Sequence, residues 1–96
     1  MHVITQKRIW EAQFKYPQCA TALDAWYRLM HKTRFSNYAE LKNIYGSVDR
    51  VGDKFIFNIG GNKIRLIAII HFNRQKIYIL DILTHKEYDK KKWTVH

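Results

Sequence analysis

Three β-rich runs separated by two short turn signals constrain the fold of this chain more than any other stretch of it. The runs read KFIFNI, NKIRLIAIIHF and QKIYILDILT between residues 54 and 84. Gly60 and Gly61 separate the first two, and glycine readily takes the positive φ angles that a two-residue hairpin loop requires. Asn73 and Arg74 separate the last two, and Asn tolerates the left-handed region. The pattern predicts a three-stranded antiparallel meander.

Two-residue loops predict the register of both hairpins. Phe57 is then expected opposite Ile64, and Ile70 opposite Ile77. Because successive side chains of a strand alternate between the two faces, the register sorts the residues into a core face and a second face. The predicted core face carries Phe55, Phe57, Ile59, Ile64, Leu66, Ala68, Ile70, Phe72, Ile77, Ile79 and Leu83, with Asp81 as its only charge.

The second face is expected to end in a polar, positively charged cluster. The middle of this face is apolar and needs to be buried. A positively charged end on such a face therefore indicates a functional site, and not ordinary solvent-exposed surface. The members come from all three strands and from the segment that leaves the third strand. They are Asn58, Lys63, Arg65 and Thr84, followed by His85, Lys86, Glu87 and Tyr88.

Two amphipathic helices are predicted before the sheet, and they supply the cover that the core face needs. The first begins at Thr5, and Pro17 marks its end or the first turn of the next helix. The second runs from Cys19 to about Lys32. Trp10 and Trp26 are expected in the core. We therefore predict an α+β fold in which N-terminal helices pack on one face of a small antiparallel sheet, as a single domain over residues 1–96.

Shorter elements are indicated at three places. Val3 and Ile4 are expected to form an edge strand at the N-terminus. A short helix is expected after Asn37, whose side chain is a good N-cap, with Glu40 three residues later. A brief strand is expected between residues 48 and 51.

The charge balance points to a polyanionic partner. Lys and Arg number 17 against 8 for Asp and Glu, which gives a formal net charge of +9. Nucleic acid is the first candidate, an acidic protein the second and an anionic membrane the third. No apolar run approaches the roughly 20 residues that span a bilayer, and no signal peptide is recognised, so a cytoplasmic location is expected. The single cysteine, Cys19, excludes an internal disulfide and is expected to be a buried apolar residue.

The polar cluster has the residue types that RNA cleavage without a metal requires. Attack of a ribose 2′-oxygen on the adjacent phosphorus needs the reacting atoms in line, one proton removed, another supplied, and charge on the phosphorane neutralised. Arg and Lys suit the last task, while His, Tyr or Glu suit proton transfer. No pair of Asp or Glu residues at metal-ligand spacing is apparent, and no cofactor is expected.

Three segments of the chain resemble the HigB toxins of bacterial type II toxin–antitoxin systems, within the RelE-like superfamily. They are MHVITQKRI at the start, FNIGGNKIRLIAIIHF in the middle and ILTHKEYD near the end. The resemblance implies an mRNA endoribonuclease that acts on translating ribosomes. It also implies neutralisation by a HigA-type antitoxin with a helix-turn-helix domain, in a heterotetramer or larger complex.

The resemblance also implies which residues are catalytic. Arg65 is expected to stabilise the phosphorane, His85 to exchange a proton with the 2′- or 5′-oxygen, and Lys86 to bind phosphate. Tyr88 is expected to stack on a base or to orient the nucleophile. RNA-binding residues are expected to be Asn58, Lys63, Lys90, Lys91 and Lys92.

Other interpretations of the same residues stay open. Arg65 could be a solvated charge or pair with Asp81, and His85 and Tyr88 could simply cap and pack a helical turn. A non-catalytic RNA- or ribosome-binding module would use the same basic patch to bind phosphates and the same aromatic residues to stack on bases. A structural subunit that only binds an acidic protein would not be toxic when it is expressed alone.

Overall fold

A five-stranded mixed sheet forms the centre of the computed structural model, which describes residues 1–61 and 63–90. The strand order is β1-β5-β4-β3-β2, and every pair is antiparallel except β1 with β5. The predicted meander is confirmed, and the two short strands extend it at its edges. The strands are β1 (His2–Ile4), β2 (Asp49–Val51), β3 (Lys54–Ile59), β4 (Ile64–His71) and β5 (Lys76–Thr84).

Among the described residues, three of the four α-helices precede the meander, as the sequence predicted. They are α1 (Gln6–Lys15), α2 (Ala20–Lys32) and α3 (Tyr38–Ile44), and the fourth, α4 (His85–Asp89), follows β5 directly. Pro17 opens a short 3-10 turn between α1 and α2, and Asn37 caps α3 by accepting a hydrogen bond from the amide of Glu40 at 3.0 Å. Within the described ranges, no helix combines the length and the apolar character needed to cross a membrane.

The core lies between the helices and the predicted core face of the sheet. Leu23, Trp26 and Met30 of α2 are buried there, and the Trp26 ring meets the edge of Phe57 at 5.3 Å between ring centroids. Cys19 is fully buried, as expected. The prediction for Trp10 is wrong, since 60% of its surface is exposed on the outer side of α1.

The connection between β3 and β4 is two residues longer than predicted. Ile59 pairs with Ile64, and Phe57 pairs with Leu66 and not with Ile64. Gly60 takes a φ of 65°, and a Cβ atom at Gly60 would lie 3.0 Å from the Sγ atom of Cys19. A shift of two residues keeps every side chain on its face, because the side-chain period of a strand is two. For this hairpin, the predicted assignment of side chains to the two faces is therefore confirmed, whereas the predicted register is wrong.

A bulge in β5 changes the faces in the second hairpin. Ile70 pairs with Ile77, as predicted, but Ala68 pairs with Ile79 while the preceding Ile67 pairs with Asp81. The extra residue reverses the alternation that follows it. Ile82 therefore packs on the main core and Leu83 on the second face, which corrects the prediction for Leu83. Asp81 is half-buried beside α1, where β5 extends past its pairing with β1, and it is not among the core residues.

Candidate functional site

The site begins where β5 passes into α4 without a loop. The hydroxyl of Thr84 accepts a hydrogen bond from the amide of Glu87 at 3.2 Å, and the Glu87 carboxylate accepts one from the amide of Thr84 at 3.0 Å. This reciprocal capping box satisfies backbone donors at the start of a helix that is only five residues long. Tyr16 at the end of α1 adds a weak contact from its hydroxyl to Glu87, at 3.5 Å. Thr84 is therefore the N-cap of α4, and the side chain of His85 does not cap the helix.

Arg65 lies on the second face, where Asn58 and Tyr88 contact its side chain. Its Nη1 atom donates a hydrogen bond to the amide oxygen of Asn58, which is paired with it across β3 and β4. Its guanidinium carbon lies 5.0 Å from the centre of the Tyr88 ring, in a cation–π contact. The backbone oxygen of Asn58 in turn accepts a hydrogen bond from Tyr45 at 2.7 Å. Arg65 is thus held next to the phenol on the face that α1 and α2 do not cover.

Tyr88 packs on a small apolar cluster of the second face. Burial raises the pKa of the Tyr88 phenol, and the nearby Arg65 guanidinium opposes that rise. The phenol is therefore protonated at neutral pH, so it can donate a hydrogen bond or stack on a base but cannot serve as a phenolate base. The cluster beneath it consists of Ile56, Ile67, Leu80 and Leu83.

His85 is exposed on the first turn of α4 and paired with an acid. Its Nδ1 atom lies 3.0 Å from a carboxylate oxygen of Asp89, four residues later on the same helix. A carboxylate at Nδ1 favours a proton there and orients the imidazole, which leaves Nε2 as the atom that can exchange a proton with a substrate. The amide of His85 donates a hydrogen bond to the backbone oxygen of Lys63 at 3.4 Å, so the β3–β4 turn lies beside α4.

The predicted lysines that the structure describes lie on the elements that form this site. Lys63, Lys86 and Lys90 are exposed, the first in the β3–β4 turn and the others in or just after α4. Lys91 and Lys92 lie outside the described residues. In the described part of the chain, no group of three or more His, Cys, Asp or Glu residues could hold a metal ion.

The structure brings the sequence-predicted residues together to different degrees. Asn58, Arg65 and Tyr88 are in direct contact, whereas Lys63 and His85 are joined through their backbones. The side chains of His85 and Lys86 are exposed on α4.

The sequence interpretation missed two supporting residues. Asp89 could have been found from its spacing of four residues after His85, which places both on one side of a helix. Tyr45 carried no such signal, because its hydrogen bond to Asn58 joins the end of α3 to a strand thirteen residues away.

The chain thus combines helices on one face of a small sheet with a cationic cluster on the other. Residues 19–91 match the family model of the RelE-like toxic component of a toxin–antitoxin system, HigB_toxin. The mRNA interferase toxin HigB of Escherichia coli strain K12 is 41% identical over 92 residues, which cover 93% of this chain and 88% of that protein. The mRNA interferase HigB of Shigella flexneri aligns with the same identity and coverage.

A more distant relative aligns over the same extent. The mRNA interferase HigB of Escherichia coli O6:H1 is 33% identical over 93 residues, which cover 94% of this chain and 90% of that protein. The chain belongs to the HigB toxin family. Membership of a toxin–antitoxin family implies an antitoxin as a partner, and the RelE-like α+β fold expected from the sequence is confirmed.

Proposed function

We propose that this chain is an mRNA interferase that cuts mRNA on translating ribosomes. The observation that supports the proposal is the position of Arg65. Its guanidinium contacts Asn58 and Tyr88 on the uncovered face of the sheet, and α4 beside it exposes His85. The names of the relatives, which are mRNA interferases, support the same activity. The net charge of +9 suits a phosphate-rich substrate.

The proposed reaction is an internal transfer at a phosphodiester. A base removes the 2′-hydroxyl proton, the 2′-oxygen bonds to phosphorus, and the 5′-oxygen leaves with a proton. The products are a 2′,3′-cyclic phosphate and a 5′-hydroxyl. Arg65 stabilises the charge on the phosphorane, His85 exchanges a proton through Nε2, and Lys86 binds a phosphate. Tyr88, protonated at neutral pH, stacks on a base or orients the nucleophile.

The remaining predicted residues have supporting roles in this proposal. Asn58 acts by orienting Arg65, since its amide oxygen already accepts a hydrogen bond from the guanidinium. Lys63 and Lys90, together with Lys91 and Lys92, attract the RNA backbone electrostatically. The activity resides in one domain that acts in the cytoplasm, where the ribosomes are. A HigA-type antitoxin neutralises it in a heterotetramer or larger complex.

The direct test is cleavage by the wild-type protein in a purified translation system with a defined mRNA. We expect cuts within the translated region, with a 2′,3′-cyclic phosphate at the new 3′ end and a 5′-hydroxyl on the other fragment. We expect no cuts when initiation is blocked. Ribosome binding without any cleaved mRNA would support the non-catalytic binding module and contradict the proposal.

Removing the carboxylate that caps α4 is expected to lower cleavage. The Glu87→Ala variant loses the contacts to Thr84 and Tyr16, and losing this half of the capping box costs about 1 kcal/mol, or about fivefold in the equilibrium constant for correct placement of α4. We therefore expect a cleavage rate that is lower than that of the wild type by up to about fivefold, measured in the same translation system.

The matched control is Glu40→Ala, which removes the carboxylate at the same helix position, the third residue of α3. The Glu40 carboxylate accepts a hydrogen bond from the amide of Ser36 at 2.7 Å, so its loss should cost similar stability. If both variants lower cleavage equally, α4 has no special part in the reaction.

A further inference from the structure

Two large aromatic side chains on α1 are left exposed to solvent. Phe14 has 90% of its surface exposed and Trp10 has 60%, more than any other large apolar residue among those described. They are four residues apart, so they form one stripe on the helix. Ile9 and Ala12 of the same helix face the core, which leaves the stripe pointing outwards. Single exposed apolar residues are ordinary, but an adjacent Trp–Phe pair on a rigid helix has the form of an anchor for a partner.

The surroundings of the pair are mixed in charge, with basic residues in excess. Lys7, Arg8 and Lys15 are exposed on α1, and Glu11 is its only acidic residue. A cleft of about 160 Å³ lies between this helix and β5. Seven residues from both elements line it, and they are Arg8, Glu11, Ala12, Lys15, Tyr16, Asp81 and Ile82.

The chemistry of this surface favours a protein over RNA or a second copy of the chain. The aromatic pair lies on the helical side of the sheet, away from Arg65 on the second face, so an RNA held at Arg65 would not reach it. A second copy would bring together two chains that each carry +9. An acidic protein with an apolar groove could bury both aromatic rings, and its carboxylates could pair with the lysine and arginine side chains of α1.

We propose that this α1 surface is the docking site of the antitoxin. Trp10 and Phe14 insert into an apolar groove of the antitoxin, and carboxylates at the rim of that groove face Lys7, Arg8 and Lys15. The partner follows from membership of a toxin–antitoxin family, so the identity of the partner rests on the toxin function proposed above. Because α1 and Arg65 lie on opposite faces of the sheet, the antitoxin neutralises the toxin by preventing its access to the ribosome and leaves Arg65 uncovered.

The double variant Trp10→Ser, Phe14→Ser tests the docking surface. Both side chains are largely exposed, so their loss leaves the core intact. The probe is the purified cognate antitoxin, titrated against purified toxin by calorimetry. Since anchors of this type dominate the binding energy of an interface, we expect binding at least about 100-fold weaker. In cells, the antitoxin should no longer restore growth when it is expressed with this variant, while the variant alone cuts mRNA as the wild type does.

The matched control is Ile44→Ser, which removes an apolar side chain that is 53% exposed at the end of α3. It should bind the antitoxin and be neutralised like the wild type. Antitoxin binding by the double variant within twofold of the wild type would overturn the proposal. Normal antitoxin binding together with lost cleavage would also overturn it, because that result would assign the surface to the ribosome. A third contrary result would be a wild-type toxin that is a dimer in solution while the double variant is a monomer. Calorimetry does not depend on cleavage, so failure of the docking proposal is distinguishable from failure of the nuclease proposal.

Discussion

Replacing Arg65 with alanine is expected to lower the rate of mRNA cleavage by about 10²–10³-fold, as removal of one preorganised charge-stabilising donor does in other enzymes. The guanidinium is the cation that Asn58 and Tyr88 hold on the uncovered face. It is half-buried and lies outside the main core, so the variant should stay folded. Cleavage in the purified translation system and growth arrest in cells should both be lost, while association with ribosomes falls only moderately.

Two further variants separate this role from a general loss of positive charge. Arg50→Ala removes the same charge from β2, where the guanidinium lies 5.7 Å from the Phe55 ring on the core side, and it should cleave at close to the wild-type rate. Arg65→Lys keeps the charge but loses the planar group with several fixed donors, so it should recover only part of the activity. Cleavage by Arg65→Ala within a few-fold of the wild-type rate would remove Arg65 from the catalytic group.

Truncating Phe57 is expected to have the largest effect on stability. Its side chain is fully buried and meets Trp26 and Tyr45 edge to face, at 5.3 and 5.4 Å between ring centroids. Phe57→Ala should lower the free energy of unfolding by about 3–5 kcal/mol, through lost burial and the cavity left behind. That is a large fraction of the roughly 5–15 kcal/mol typical of a small domain. Urea denaturation followed by circular dichroism measures it.

Phe14→Ala is the matched control because it makes the same chemical change at a side chain that is 90% exposed. Its free energy of unfolding should stay within about 0.5 kcal/mol of the wild-type value. Equal losses in the two variants would mean that the packing between α2 and the sheet does not stabilise the fold as described.

The face assignment could be predicted from the sequence because it depends on local alternation. The side-chain period of two residues correctly assigns Arg65 and Asn58 to one face and Phe57 and Leu66 to the other. It does so although the loop at Gly60 is two residues longer than predicted. An error of two residues in register leaves the faces unchanged, whereas the single extra residue of the β5 bulge does not. The prediction for Leu83 is therefore wrong, and the local sign of the bulge was the charge of Asp81 on the predicted core face.

Exposure on the helices was harder to predict than their existence. Trp10 and Trp26 both occur in amphipathic patterns, and both were expected in the core, but only Trp26 faces the sheet. Which side of α1 is covered depends on where α2 and β5 lie, and that is not encoded in the periodicity of α1. The same reason explains why the exposed pair of Trp10 and Phe14 emerged only from the structure.

The sequence by itself determined the order of the elements, the two faces of the meander and the charge that points to RNA, since each follows from residue type and short-range spacing. Only the tertiary structure decided that the Arg65 guanidinium lies 5.0 Å from the Tyr88 ring and is held by Asn58. That arrangement depends on strand register and on the capping of α4 at Thr84, which bring together residues from three separate elements. Such contacts between distant residues are fixed by the packing of the whole chain and leave no mark in any one segment.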